Sequence, residues 1–294
     1  MLNPHRLESI ADAPDFNAIL GDVSLEAVMP TEAELHEAAS VLPTGTAIYL
    51  TDLPNRSGEQ LMQIARGVFM RGLKPVPHIA ARNVISEQKL GDMLARLASS
   101  AGVSRIMLIG GDHGRSAGPF ENALQVLESG VLEASGIREI GIAAYPEGHP
   151  AISGDVLRAS LRDKLEAAER AGIAADIVTQ FAFDAWPVVT WLRALRASGV
   201  HNRVRIGMAG PASIPALMKF AKRCGVRASA NGFARHAASI GRLLTRATPA
   251  EAVNDLAEAA AAENLGQIAS HFYSFGGLVQ ASKWVRDAKN GVIA

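Results

Sequence analysis

The sequence is poor in cysteine: one thiol, Cys224, in 294 residues. A single thiol excludes an intramolecular disulfide framework and any zinc site built from several cysteines. It sits in a helix-like stretch, where it reads as inert packing. Net charge is missing as well. Lys+Arg and Asp+Glu both number 29, which leaves no basic footprint for nucleic acid, although a charge sum does not exclude a local anion patch. No signal-peptide pattern is present, and no apolar run is long enough to span a bilayer. The expected location is therefore the cytoplasm, with neither membrane nor nucleic acid as partner. Low-complexity segments and interdomain linkers are also lacking. Residues 1–294 are expected to form a single domain, with residues 1–17 as a polar leader carrying a short helix.

Against these absences, 48% of the chain is hydrophobic, ample for a large core. Apolar runs occur at residues 20–28, 47–50, 74–78, 104–109, 139–144, 177–180, 204–208 and 267–273. Strands buried on both faces read as near-continuous runs of this kind. Helix-like segments separate them, one opened by Pro30 and Thr31 and others at about residues 57–71, 86–100, 121–128, 155–171, 185–197 and 213–223, followed by Ala-rich stretches within 228–264 and a last helix ending before Gly291. Thr31 is a candidate cap, with Glu32 and Glu34 in the first turn. Eight βα units in a chain of this length predict a closed (β/α)8 TIM barrel of the α/β class, with extra helices before the last strand. An open doubly wound sheet is the competing architecture. No Gly-x-Gly-x-x-Gly follows the first strand to support it.

In a barrel the loops after the strands share one face. The polar residues at the predicted strand ends are Glu26, Thr51, His78, Asp112, Tyr145, His149, Gln180 and His271. Taken singly each has a structural reading: Glu26 as a salt-bridge partner, His78 and His271 as satisfied core histidines, Phe181 and Phe183 as packing. Taken together they place two carboxylates, an amide and aromatics, with few cations, around one mouth. No His-x-His or His-Glu-x-x-His spacing suggests a metal, and no lysine stands at a strand end to form a Schiff base. A phosphate cup is conceivable at residues 207–211 or at Gly276-Gly277.

Several local motifs carry a resemblance. They are Ser24-Leu25-Glu26 with Pro30, Pro77-His78, Gly111-Asp112, Tyr145-Pro146-Glu147-Gly148-His149-Pro150, Thr179-Gln180-Phe181-Ala182-Phe183-Asp184 and His271-Phe272-Tyr273. In this order they resemble the methylenetetrahydrofolate reductase family, the flavin-dependent barrels of one-carbon metabolism. The resemblance covers about residues 21–284 and implies a noncovalent FAD, a tetrahydrofolate derivative as substrate, and NAD(P)H or another redox partner. A homo-oligomer is compatible with it. Glu26 matches the family's acid and Asp112 the carboxylate near flavin and pterin, so both are expected to be catalytic. Thr51, His78, Gly111, Asp112, Phe120, Tyr145 and His149 match flavin positions, and Arg162 with Lys164 is expected at the pyrophosphate. Glu26, Gln180 and Phe220 match the folate site. A carboxyl at the mouth beside Leu25 and Val28 is expected to have a raised pKa through desolvation.

Departures from the family pattern are informative. Gly110 stands where the family has Arg, Phe120 where it has Tyr, and Ala168 where a Lys is expected. Ala216 replaces a Gln, and Gly277 an Arg after His-Phe-Tyr. Flavin and pterin positions thus survive better than those for the folate tail and nicotinamide. This raises the expectation of an altered electron partner, or of turnover from methyl- to methylenetetrahydrofolate. The alternatives are a non-catalytic flavin- or folate-binding subunit of a redox complex, and a flavin-free barrel lyase or methyltransferase on the same scaffold.

Overall fold

The computed structural model describes residues 19–51, 58–112, 114–224, 226 and 246–292. Eight parallel strands close into a barrel: β1 (Ser24–Ala27), β2 (Ala47–Leu50), β3 (Lys74–Ala80), β4 (Arg105–Ile109), β5 (Glu139–Ala144), β6 (Ala174–Thr179), β7 (Val204–Ala209) and β10 (Ile268–Tyr273). Each neighbours the next in sequence, and β10 lies between β7 and β1. The closing pair is in register as Ser24↔His271, Leu25↔Phe272 and Glu26↔Tyr273. Between β7 and β10, Ala212–Ser213 (β8) pairs antiparallel with Arg246–Ala247 (β9), a small sheet with no counterpart in the apolar pattern. The barrel prediction therefore holds.

Helices cover the barrel: α1 (Glu32–Ala39), α2 (Gly58–Phe69), α3 (Glu87–Ala101), α4 (Ala123–Glu128), α5 (Val131–Ala134), α6 (Gly154–Arg170), α7 (Ala185–Ala197), α8 (Ile214–Cys224), α9 (Ala250–Ala262) and α10 (Leu278–Lys289). Their starts follow from local chemistry. Thr31 and Glu34 form a reciprocal capping box on α1, and Ser86, Ser153 and Asp184 cap α3, α6 and α7 through their side-chain oxygens. Each satisfies a backbone N–H that the helix cannot. Asp184, the last residue of the Thr179–Asp184 motif, is thus occupied in accepting from the Trp186 N–H at 2.9 Å. One extra helix before the last strand is α9. The other Ala-rich stretch and the leader at residues 1–17 lie outside the described residues. The first strand is shorter than its apolar run, because Ile19 and Leu20 belong to a helical turn before it.

Alternation along the strands sorts side chains into two populations. Leu25, Ile48, Leu50, Ile106, Leu108, Ile140, Ile142, Ile177 and Phe272 face outward into the main core beneath the helices. Ala47, Tyr49, Val76, Met107 and Val178 fill the barrel interior at mid-height. Below them lies an ion network. Asp176 accepts from Arg205 at 2.8 Å and from Arg203 at 3.2 Å, with Arg105 3.9 Å away. Asp22 bridges Arg203 and Arg205 at 2.5 and 2.9 Å, and Arg105 pairs with Glu139. Arg205 is 1% exposed, so its charge needs these partners.

Removing one partner of such a network strands the others. Asp176→Ala is expected to lower stability by about 3–5 kcal/mol, read as a fall in the urea midpoint with an unchanged slope.

Candidate active site

The C-terminal ends of the strands form a mouth above the apolar middle layer. Glu26, third residue of β1, is its centre. Thr51, just after β2, donates its hydroxyl to Glu26 Oε1 at 3.1 Å. His78 on β3 places Nε2 3.7 Å from Glu26 Oε2, and His271 on β10 places Nε2 3.6 Å from the same oxygen. His271 is wholly buried, and its Nδ1 lies 2.9 Å from Ser24 Oγ. The ring of Tyr49 meets His271 edge-on at 4.6 Å and His78 at 6.1 Å. Barrel closure has assembled five residues from four strands and one loop around one carboxyl group.

The electrostatics correct one expectation. Burial is the largest influence on Glu26 and pushes its carboxyl upward, but His78, His271 and Thr51 together outweigh it and hold the pKa below the ordinary 4.5. The expected raised value is not found, because donors from distant strands supply what solvent would have supplied. Burial pushes His271 below its ordinary 6.5, against the opposing pull of Glu26. The imidazole is therefore neutral near pH 7. Burial, with Glu26 next, raises the Tyr273 phenol well above its ordinary value, so Tyr273 stays a neutral donor. Its hydroxyl donates to the Thr179 carbonyl at 3.0 Å.

Around this centre the other sequence-predicted residues are distributed unevenly. Gln180 follows β6, half-buried, with its side-chain oxygen accepting from the Phe181 N–H at 3.1 Å. Tyr145 and His149 pack edge-on, 5.1 Å between rings. Burial, then the charge of Asp112, pushes the Tyr145 phenol up, which puts Asp112 on the same side of the mouth. Asp112 itself is exposed. Phe220 of α8 stacks on Phe275 at 4.2 Å, inside a cluster with Phe181, Phe183 and Tyr273 that roofs the β6, β7 and β10 ends.

Three expected contributors stand elsewhere. Phe120 is 5% exposed and belongs to the main core cluster. Arg162 is exposed and Lys164 half-buried on α6. Residues two apart on a helix project about 200° from one another, so these cations do not form one patch. The glycines considered as a phosphate cup have a packing explanation. A Cβ at Gly207 would stand 2.4 Å from the Thr179 carbonyl oxygen, and one at Gly276 2.1 Å from that of Pro211.

Ser24, Tyr49 and Phe275 belong to the site and carry no strand-end signal of their own. Only the pairing of β1 with β2 and β10 reveals the first two. Among the described residues, no group of three or more His, Cys, Asp or Glu could hold a metal, and no helix is long and apolar enough to cross a membrane.

The model of the family described as methylenetetrahydrofolate reductase matches residues 51–234. That span contains Thr51, His78, Gly111, Asp112, Tyr145, His149, Gln180 and Phe220, and leaves Glu26 and His271 outside it. Among solved structures, the chain is similar to dihydropteroate synthase from Thermus thermophilus at 14% identity. That match covers 93% of this chain and 95% of the other, with a TM-score of 0.49. It is also similar to N-acetylneuraminate lyase from Fusobacterium nucleatum at 11% identity, covering 91% of this chain and 75% of the other, with a TM-score of 0.46.

Burial of a neutral histidine has a measurable consequence. His271 binds a proton less readily folded than unfolded, so stability is fully present above pH 6.5 and falls as pH drops below it. Glu26 adds a second loss below 4.5. His271→Gln is expected to flatten the dependence of Tm on pH between about 6.5 and about 5, the first of these steps. A thermal scan at several pH values checks this.

Proposed function

Because the chain belongs to the methylenetetrahydrofolate reductase family, a folate-related oxidoreductase family, we propose that it interconverts 5-methyltetrahydrofolate and 5,10-methylenetetrahydrofolate with FAD. The observation that carries this reading is Glu26: a carboxyl group recessed at the barrel mouth, held by Thr51 and faced by two imidazoles.

The mouth residues fit a flavin. Gly111 has φ +92°, and a Cβ there would stand 3.2 Å from the Ala80 Cβ; at neighbouring Gly110 nothing lies within 4 Å of where a Cβ would be. Backbone at the end of β4 is thus open to close approach by a planar ring system. Thr51, His78 and Asp112 would line the flavin's ring side, and Tyr145 with His149 its adenosine side. Bound FAD would supply the two-electron couple, taking a hydride from the folate methyl group or returning one.

Glu26 handles the proton. In the methyl-to-methylene direction the substrate loses a hydride from its methyl carbon. A new C–N bond then closes the five-membered ring, and the proton on the folate's aryl-amine nitrogen passes to the Glu26 carboxylate. In the opposite direction a protonated Glu26 returns that proton and the C–N bond breaks. Gln180 offers one donor and one acceptor to a pterin edge, and Phe220 with Phe275 offers an apolar wall. A resting carboxylate is already in the form needed to accept a proton. This favours the methyl-to-methylene direction, as do Ala216 and Gly277, which stand where the family's residues toward nicotinamide and the folate tail are expected. The electron acceptor is then NAD(P)+ or another redox partner.

Anaerobic mixing of the flavin-loaded protein with methyltetrahydrofolate tests the reading. The flavin absorbance is expected to bleach, and Glu26→Gln to slow the bleaching by about 100-fold or more. Binding of flavin without any bleaching would point instead to a non-catalytic subunit. Rapid bleaching by micromolar NADH or NADPH would overturn the altered-partner element. In the wild type, bleaching by methyltetrahydrofolate should persist through pH 4.5 and weaken only at more acid pH, because the folded protein holds the Glu26 carboxyl below its ordinary value.

A further inference from the structure

Glu26 must exist in two forms during turnover, and both must be satisfied in a site that is largely closed to water. Thr51 reaches one carboxyl oxygen. The other, Oε2, is approached by His78 and His271. His271 Nε2 has no hydrogen-bond partner and stands a few tenths of an ångström beyond contact with Oε2, while the ring is 0% exposed. Its orientation is fixed. Tyr49 packs edge-on at 4.6 Å, Tyr273 edge-on at 5.0 Å, and Nδ1 is held by Ser24 Oγ at 2.9 Å. The same serine oxygen lies 3.4 Å from the Ser270 carbonyl, so its one hydrogen has two acceptors to choose from.

We propose that Ser24 and His271 form a tautomer-adapting pair beneath Glu26, positioning residues that keep its carboxyl hydrogen-bonded whether protonated or ionised. With Glu26 ionised, the Ser24 hydroxyl donates to Nδ1 and the ring carries its proton on Nε2, aimed at the carboxylate. With Glu26 protonated, the Ser24 hydroxyl turns to the Ser270 carbonyl. Nδ1–H then donates to Ser24 Oγ, and the bare Nε2 accepts from the carboxyl O–H. The first state holds two exchangeable protons on the three side chains, the second three. The difference is the proton that Glu26 exchanges with the folate nitrogen. The imidazole is neutral throughout, which suits its surroundings: Arg205 on β7 opposes a second positive charge, and only Glu26 favours one. The groups facing the trio are Thr51 and Tyr49 from β2 and the loop after it, His78 from β3, Tyr273 from β10 and Arg205 from β7. The inference rests on Glu26 being the proton carrier proposed above.

Nitrogen-15 spectra of histidine-labelled protein report the tautomer directly, without any ligand. As pH falls from about 8 through the titration of Glu26, which the folded protein holds below 4.5, the His271 proton is expected to move from Nε2 to Nδ1, with the midpoint of the Glu26 carboxyl resonance. Ser24→Ala removes the acceptor for Nδ1–H. It should cut the Nδ1–H population at acid pH at least tenfold and move the Glu26 midpoint down, and Ser24→Thr should restore both. A ring that keeps one tautomer, that becomes doubly protonated in step with Glu26, or that switches unchanged in Ser24→Ala overturns the proposal. The anaerobic bleaching assay separates this from the functional reading. A ring that switches in a protein that methyltetrahydrofolate does not bleach supports the pair and overturns the folate chemistry. A fixed ring in a protein that does bleach does the reverse.

Discussion

Closure of the barrel by the first and last strands is the constraint on which the site depends. Ser24 and His271 are 247 residues apart in the chain and lie opposite one another in the β1–β10 ladder. The next inward-facing pair up the ladder is Glu26 and Tyr273. Side chains in a strand alternate faces, so a slip of one residue in this pairing would turn Glu26 into the helix layer and bring Leu25 into the mouth. The outward residues protect the register: Leu25 and Phe272 are both buried in the main core, and neither could be exchanged for a polar neighbour without cost. Hydrophobic burial outside the barrel thus fixes the chemistry inside it.

The interior is built in storeys of different polarity. The lowest is ionic, with Asp176 and Asp22 shared among arginines. The middle is apolar apart from the Tyr49 hydroxyl. The upper is the carboxyl–imidazole group. Arg205 reaches electrostatically from the lowest storey to the highest, where it helps keep His271 uncharged. The ion network therefore bears on the mouth as well as on the strand starts, although no side chain spans the distance.

The barrel is legible in the sequence because parallel strands buried on both sides must be apolar along their whole length. The runs at 47–50 and 139–144, and the helix at 185–197, coincide with the observed elements to the residue. Polarity within a strand broke the pattern where the interior itself is polar. Asp176 in β6 hides the start of a strand that begins at Ala174, and Lys74 opens β3 only because its end projects outward. The strand-end rule located Glu26, Thr51, His78 and His271. Their mutual distances depend on register, and sequence carries no direct record of register. That is why the carboxyl was expected to be raised by desolvation when donors on β3 and β10 lower it. Ser24 figured only as part of the Ser24-Leu25-Glu26 motif and not as a site residue, because a small hydroxyl at the start of β1 carries no strand-end signal. Phe120 illustrates the converse: a residue aligned by motif in a loop that the fold tucks into the core.

The packed lower storeys have a kinetic meaning for the group above them. Tyr49, Val76 and His271 are 0%, 1% and 0% exposed, so nothing reaches Glu26 from the far side of the barrel. A proton resting there has one door to the solvent, and a ligand seated in the mouth would close it. The lifetime of an isotopic label on that proton is then set by how long the ligand stays rather than by the acidity of the group. The barrel floor gives the carboxyl a memory as long as the occupancy above it.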